Sequence, residues 1–134
     1  MDKVMNLEAA LRMIEAAKKK ATEIGIPMVI AVVDKGGNLI AMERMDGALL
    51  VSLDIAKGKA YTAVALQMPT GELAELAQPG AELFGIDKTD GGRIIVFAGG
   101  FPVKVDGELV GGIGVSGGPV KDDTACAQAG LEAF

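Results

Sequence analysis

The side chains best placed for chemistry fall into three short groups. Arg44-Met45-Asp46-Gly47 follows an extended apolar stretch, so its side chains come free at a strand end, where a cleft can use them. Arg44 could grip a carboxylate in bidentate fashion or pair with a neighbouring acid. Asp46 could hydrogen-bond a ligand or cap the helix that follows. Further on, Ser52, Ala56, Lys59 and Ala63 recur at i, i+4, i+7 and i+11 and therefore share one helix face. Lys59 lies among Ala56, Ala60 and Ala63. A lysine buried there would have a lowered pKa, suited to catalysis or anion binding, whereas a surface lysine would snorkel to water. The third group, Ser116-Gly117-Gly118, precedes a final helix and could present backbone N–H groups to an anion or simply turn the chain.

What is missing narrows the chemistry further. The chain has no histidine and a single cysteine, Cys126. The usual zinc ligand sets and the histidine-based nucleophile triads are thereby excluded, and no metal site is expected. Acid–base work would fall to Asp, Glu, Lys, Tyr61 or Cys126. The seven methionines suit core gaps better than metal ligation.

Ten of the 19 glycines fall between Gly91 and Gly118, in a run that alternates like strands. Across Leu109–Ser116 strict alternation sends Leu109, Gly111, Ile113 and Val115 one way and Val110, Gly112, Gly114 and Ser116 the other. The second face is almost bare, so either a helix packs closely on it or a flat ligand does, with Gly112 and Gly114 as its floor. A dinucleotide fold is not indicated, because no G-x-G-x-x-G joins a strand to a helix, and no G-K-[ST] phosphate loop occurs.

The elements that must position these groups can be read from periodicity and punctuation. Asn6 caps a helix whose apolar residues run from Leu7 to Ile24, and Gly25 and Pro27 stop it. Lys18–Lys20, late in that helix, read as a solvated face favoured by the helix dipole. Met28–Val33 is a strand covered on both faces, Asp34–Asn38 a turn, and Leu39–Arg44 the returning strand. A second helix runs from the Met45-Asp46-Gly47 stretch to Leu66, and a short one, with Thr70 as a candidate cap, opens at Thr70-Gly71-Glu72. Strands at Arg93–Ala98, Phe101–Val105 and Leu109–Ser116 follow, then a helix from Val120 to Phe134. The order α-β-β-α-α-β-β-β-α predicts an α/β (α+β) domain, residues 1–134, with a five-stranded, mostly antiparallel sheet and helices on its faces.

Bulk composition sets the partners. A net charge of -5 argues against nucleic acid and against an anionic membrane surface. Half of the residues are apolar and mean hydropathy is +0.37, which points to surface buried between subunits. With one cysteine and an N-terminal stretch that reads as an amphipathic helix rather than a signal peptide, the expected compartment is the cytoplasm.

Four stretches, VVDKGGNLIAMERMDGA (32–48), SLDIAKGKAYTAVAL (52–66), QPGAELFGI (78–86) and GGRIIVFAGGFPVKVDGELVGGIGVSGGPVKDD (91–123), resemble the GlcG/HbpS family, which includes the C-terminal domain of PduO-type corrinoid adenosyltransferases. The QPG…LFGI…GRIIVF segment is most similar to the PduO branch. The resemblance implies a profilin-like sandwich assembled into a homo-oligomer, with an octamer as the candidate. It also implies binding of haem or another tetrapyrrole such as cobalamin, and it carries Arg44, Met45, Asp46 and Lys59 over as motif positions. Where family members ligate haem iron with histidine this chain has none, leaving Met, Tyr61, Lys or Cys126. The expected function is therefore small-molecule binding, of haem or a corrinoid, with Arg44, Met45, Asp46, Ser52, Lys59, Gly112 and Gly114 as the candidate site. Two alternatives stand beside it: a lyase or isomerase of small-molecule catabolism using Lys59 and Asp46, and an accessory protein that docks on a larger enzyme.

Overall fold

A computed structural model describes residues 4–134. Helix α1 (Leu7–Ile24) starts where expected: the Asn6 side chain accepts a hydrogen bond from the Ala9 N–H at 2.8 Å, and Gly25 closes the helix in the left-handed region at φ 88°. Its stripe Ala10, Met13, Ile14, Ala17 and Ala21 is fully buried. Strands β1 (Val29–Asp34) and β2 (Leu39–Arg44) form the hairpin, with Asp34 holding the turn through the Gly36 and Asn38 N–H groups. Helices α2 (Val51–Leu66) and α3 (Thr70–Leu76) follow, then strands β3 (Gly100–Val105) and β4 (Glu108–Ser116) and helix α4 (Val120–Glu132).

The four strands make one antiparallel sheet in the order β2-β1-β4-β3. Helices α1 and α4 cover one face over Met28, Ile30, Val32, Val103, Ile113 and Val115. Helix α2 covers the other over Val29, Ala31 and Val33. The central strand β1 is thus buried on both faces, which explains its unbroken β-branched run.

Two expectations need correction. The sheet has four strands among the described residues, not five, because Arg93–Ala98 is not a strand. Its backbone is served from α2 instead. The Thr62 hydroxyl accepts from the Ile95 N–H at 2.9 Å and donates to the Arg93 carbonyl at 3.4 Å. A side chain thus takes the bonds that a ladder would have used. The strict alternation of β4 also breaks: an extra residue opposite Val103–Lys104 makes a bulge. Beyond it Leu109 packs with the α2 side and Val110 with the α1–α4 side, the reverse of the expected assignment.

The bare face of β4 lies directly under α2. A Cβ on Gly112 would stand 2.8 Å from the Ala60 carbonyl oxygen, and one on Gly114 would overlap the backbone of Ala56 and Ala60. Helix α2 is Ala-rich on the matching side, so backbone meets backbone there. Gly112 and Gly114 are packing positions, and the floor proposed for a flat ligand is already filled.

Candidate functional site

The sequence-selected residues separate into two places. Arg44, Met45 and Asp46 line an open groove of ≈ 1100 Å³ between α1 and the end of β2. Helix α1 contributes Arg12, Ala16, Lys19 and Glu23, spaced at i, i+4, i+7 and i+11 and therefore on one stripe. Ala16, Met45 and Ala133 give it apolar surface.

Charges in the groove are unevenly committed. Lys18 bridges Glu43 at 2.8 Å and Glu15 at 3.1 Å, and the hydrogen bonds to Glu43 and then Glu15 raise its pKa. Arg12 donates to the carbonyls of Ala133 and Phe134 at 3.0 and 3.3 Å, which ties the C-terminal end to α1. Arg44, Lys19 and Asp46 make no side-chain hydrogen bond or ion pair among the described residues. Asp46 is therefore not a helix cap: α2 begins at Val51, its cap position is Leu50, and no side chain caps it. Met45 is held twice by Met28, giving its N–H to the Met28 carbonyl at 3.0 Å and accepting the Met28 N–H at its sulfur at 3.4 Å.

Ser52 and Lys59 lie elsewhere, inside the molecule between α2, β4 and α4. Lys59 is fully buried, so it does not snorkel. Its Nζ donates to Asp123 Oδ2 at 2.9 Å and to the Val115 carbonyl at 2.8 Å, beneath the Phe97 ring at 5.1 Å. Burial lowers its pKa, and the hydrogen bond and charge of Asp123 offset part of that. Asp123 accepts the Gly118 N–H at its other oxygen, at 2.9 Å. Of the two readings open for Ser116-Gly117-Gly118, an anion site or a plain turn, this N–H serves the turn. Ser116 and Ser52 bond to each other at 3.1 Å in the same buried layer.

Sequence reasoning missed two partners. Asp123 lies in the first turn of α4, where an acid suits the helix dipole and draws no further notice; the alanines around Lys59 signalled an interior position and hence a need for a buried acid. Lys19, read as part of a solvated face, lines the groove. The remaining candidate donors are occupied. Tyr61 donates to Asp90, with Arg93 stacked over its ring at 4.2 Å. Burial, followed by the charges of Asp123 and Asp122, pushes the Cys126 thiol up to about 11.

The family model for haem degrading protein HbpS-like matches residues 5–132. The chain belongs to the HbpS-like family. It is similar to the 15.0 kDa protein of the dhaT-dhaS intergenic region of Citrobacter freundii, 45% identical over 130 residues and covering 97% of this chain and 92% of that protein. It is also similar to the corrinoid adenosyltransferase PduO of Salmonella typhimurium, 41% identical over 119 residues. That match covers 89% of this chain but 35% of PduO, so the chain spans about a third of that enzyme. Among solved structures, the PduOC–haem complex superposes with a TM-score of 0.94 at 37% identity, covering 98% of this chain and 96% of the other. This HbpS-like chain shares that whole fold while having no histidine.

Proposed function

We propose that this protein is a small-molecule-binding homo-oligomer of the cytoplasm whose ligand is a haem- or corrinoid-type tetrapyrrole, in the setting of cobalamin or small-molecule catabolism. The observation that carries the reading is the groove itself. It brings Arg44, Met45 and Asp46 together on a surface of the right scale for a flat macrocycle, with apolar contacts and uncommitted charge. The PduOC–haem complex, alike over nearly the whole chain, supports the class of ligand. Gly112 and Gly114 take no part, and Ser52 and Lys59 act through the fold.

The residues fit the periphery of such a ligand better than its metal. Lys19 and Arg44 are free to meet carboxylates, and Ala16 and Met45 to meet a ring face. No histidine, thiolate or phenolate faces the groove: histidine is absent, Cys126 is buried, Tyr61 is bonded to Asp90, and the Met45 sulfur is engaged by Met28.

A visible-absorption titration with haem and, in parallel, a cobalamin tests the reading. A saturable change at one ligand per subunit or per subunit pair is expected with at least one of them, and no change with either overturns it. The lyase or isomerase alternative loses its site, because Lys59 is sealed against Asp123 while Asp46 lies on the groove. Protein contact is favoured by one specific feature, the exposed run Leu49-Leu50-Val51 at the start of α2. The oligomer reading assigns it to a second copy, so dilute protein is expected to sediment well above 13.7 kDa. A monomer that captures a larger enzyme would move the accessory reading to first place.

A further inference from the structure

The groove holds cations without partners but no histidine, cysteine or tyrosine, and that imbalance names the ligand more closely. Lys19 approaches from α1 and Arg44 from the end of β2, so two elements each supply one uncommitted cation to the same groove. The same groove carries the apolar surfaces of Ala16 and Met45. An Arg fork and a Lys ammonium are the groups that read carboxylates. A thioether could ligate iron, but turning the Met45 sulfur into the groove would leave the buried Met28 N–H without its acceptor. Lys18 is kept protonated by Glu43 and Glu15, and an ammonium has no lone pair to give.

Resting on the tetrapyrrole reading above, we infer that the groove recognises its ligand through peripheral carboxylates held by Lys19 and Arg44 and is indifferent to the metal. Its ligand class is then a porphyrin dicarboxylate, with or without iron. A cobalamin, whose ring side chains are amides, lacks the recognised groups. Asp46, unpartnered in the same groove, opposes such a ligand and sets a ceiling on its affinity.

The experiment compares four probes on the 134-residue protein: haem, metal-free protoporphyrin IX, protoporphyrin IX dimethyl ester and a cobalamin. Haem and the cobalamin are read by visible absorbance, because iron quenches porphyrin emission, and the two metal-free porphyrins by their own fluorescence anisotropy. Haem and protoporphyrin IX are expected to bind within about threefold of each other, and the ester and the cobalamin at least tenfold more weakly, roughly the value of one charge-assisted contact. Arg44→Ala and Lys19→Ala should each weaken both dicarboxylates by roughly tenfold while leaving the melting temperature unchanged. Asp46→Asn should tighten both; if it weakened haem alone, Asp46 would be an iron ligand and the inference would fall. Haem binding more than about tenfold tighter than the free base, or equal binding of the ester, overturns the inference while leaving the tetrapyrrole reading standing. Failure of all four probes overturns both.

Discussion

The Lys59 centre and the α1–β2 groove contain the same kinds of side chain used in opposite ways. Around Lys59 every polar group has a partner: the ammonium has Asp123 and Val115, Asp123 has Gly118, and Ser52 has Ser116. No buried side-chain nitrogen or oxygen among the described residues is left unsatisfied. In the groove, Arg44, Lys19 and Asp46 are unengaged, although neighbouring Lys18 shows that ion pairs are geometrically available there. A saturated buried network holds α2, β4 and α4 in place; unsaturated charge at a concave surface is what a ligand can use. Type and spacing alone do not separate these cases, since Lys59 and Arg44 both look like candidate anion grips.

The sharpest way to break this contrast is to remove a partner from the buried centre. Lys59→Met leaves Asp123 buried without its countercharge and should cost about 3–5 kcal/mol of stability, measured by denaturant unfolding. The pair Lys59→Met with Asp123→Leu should recover much of that loss, because two apolar groups need no mutual charge. Porphyrin affinity of the folded fraction should stay the same in either variant. A stable Lys59→Met protein that no longer bound ligand would reverse the assignment and make Lys59 a site residue.

Cys126 reports on the same interior through pH. Its thiol is neutral in the fold up to about 11, against an ordinary value of 9.0. The unfolded chain loses that proton first, so stability is fully present below pH 9.0 and falls as pH rises toward about 11. The difference in loss between the parent and Cys126→Ala across this window should approach ~2–3 kcal/mol, as seen by unfolding at stepped pH. The subtraction removes groups such as Tyr61, whose pKa its hydrogen bond to Asp90 raises. If the variant kept the parent's slope, the titration would belong to another group.

Gly114→Ala tests whether the bare sheet face belongs to α2 or to a ligand. Added to the backbone contact with Ala56 and Ala60, the methyl should cost about 1–3 kcal/mol through overpacking and lower the melting temperature. Unchanged stability with lost ligand binding would restore the flat-ligand floor.

What was legible beforehand follows the range of the interaction that decides each feature. Helix α1 was readable because Asn6 and Gly25 act within a few residues of it, and the β1–β2 hairpin because Asp34 closes its own turn. Arg93–Ala98 misled because Ile94, Ile95 and Val96 have strand character, while a threonine on α2 took the backbone bonds. Gly112 and Gly114 were assigned to a common face by local alternation, but what covers that face depends on α2, far away in sequence. The Lys59–Asp123 pair spans 64 residues, so no local spacing could announce it. The Arg44-Met45-Asp46 trio was visible as a motif at a strand end, yet Lys19 joins it only because α1 lies alongside β2.

The smallest expected effect sharpens the comparison most, because it requires a gain. Asp46 is exposed, caps nothing and pairs with nothing among the described residues, so the fold has no evident use for it. Replacing it with asparagine should change stability by less than about 0.5 kcal/mol. If the groove reads carboxylates, the lost repulsion should tighten protoporphyrin IX by a few-fold at low salt, with the gain shrinking as salt screens an exposed charge. Salt-dependent anisotropy titrations of the Asp46→Asn protein beside the parent measure this. Asp46 would instead be a ligand contact if affinity fell at every salt concentration, and the groove would then be donating or accepting hydrogen bonds where it is here taken to be gripping charge.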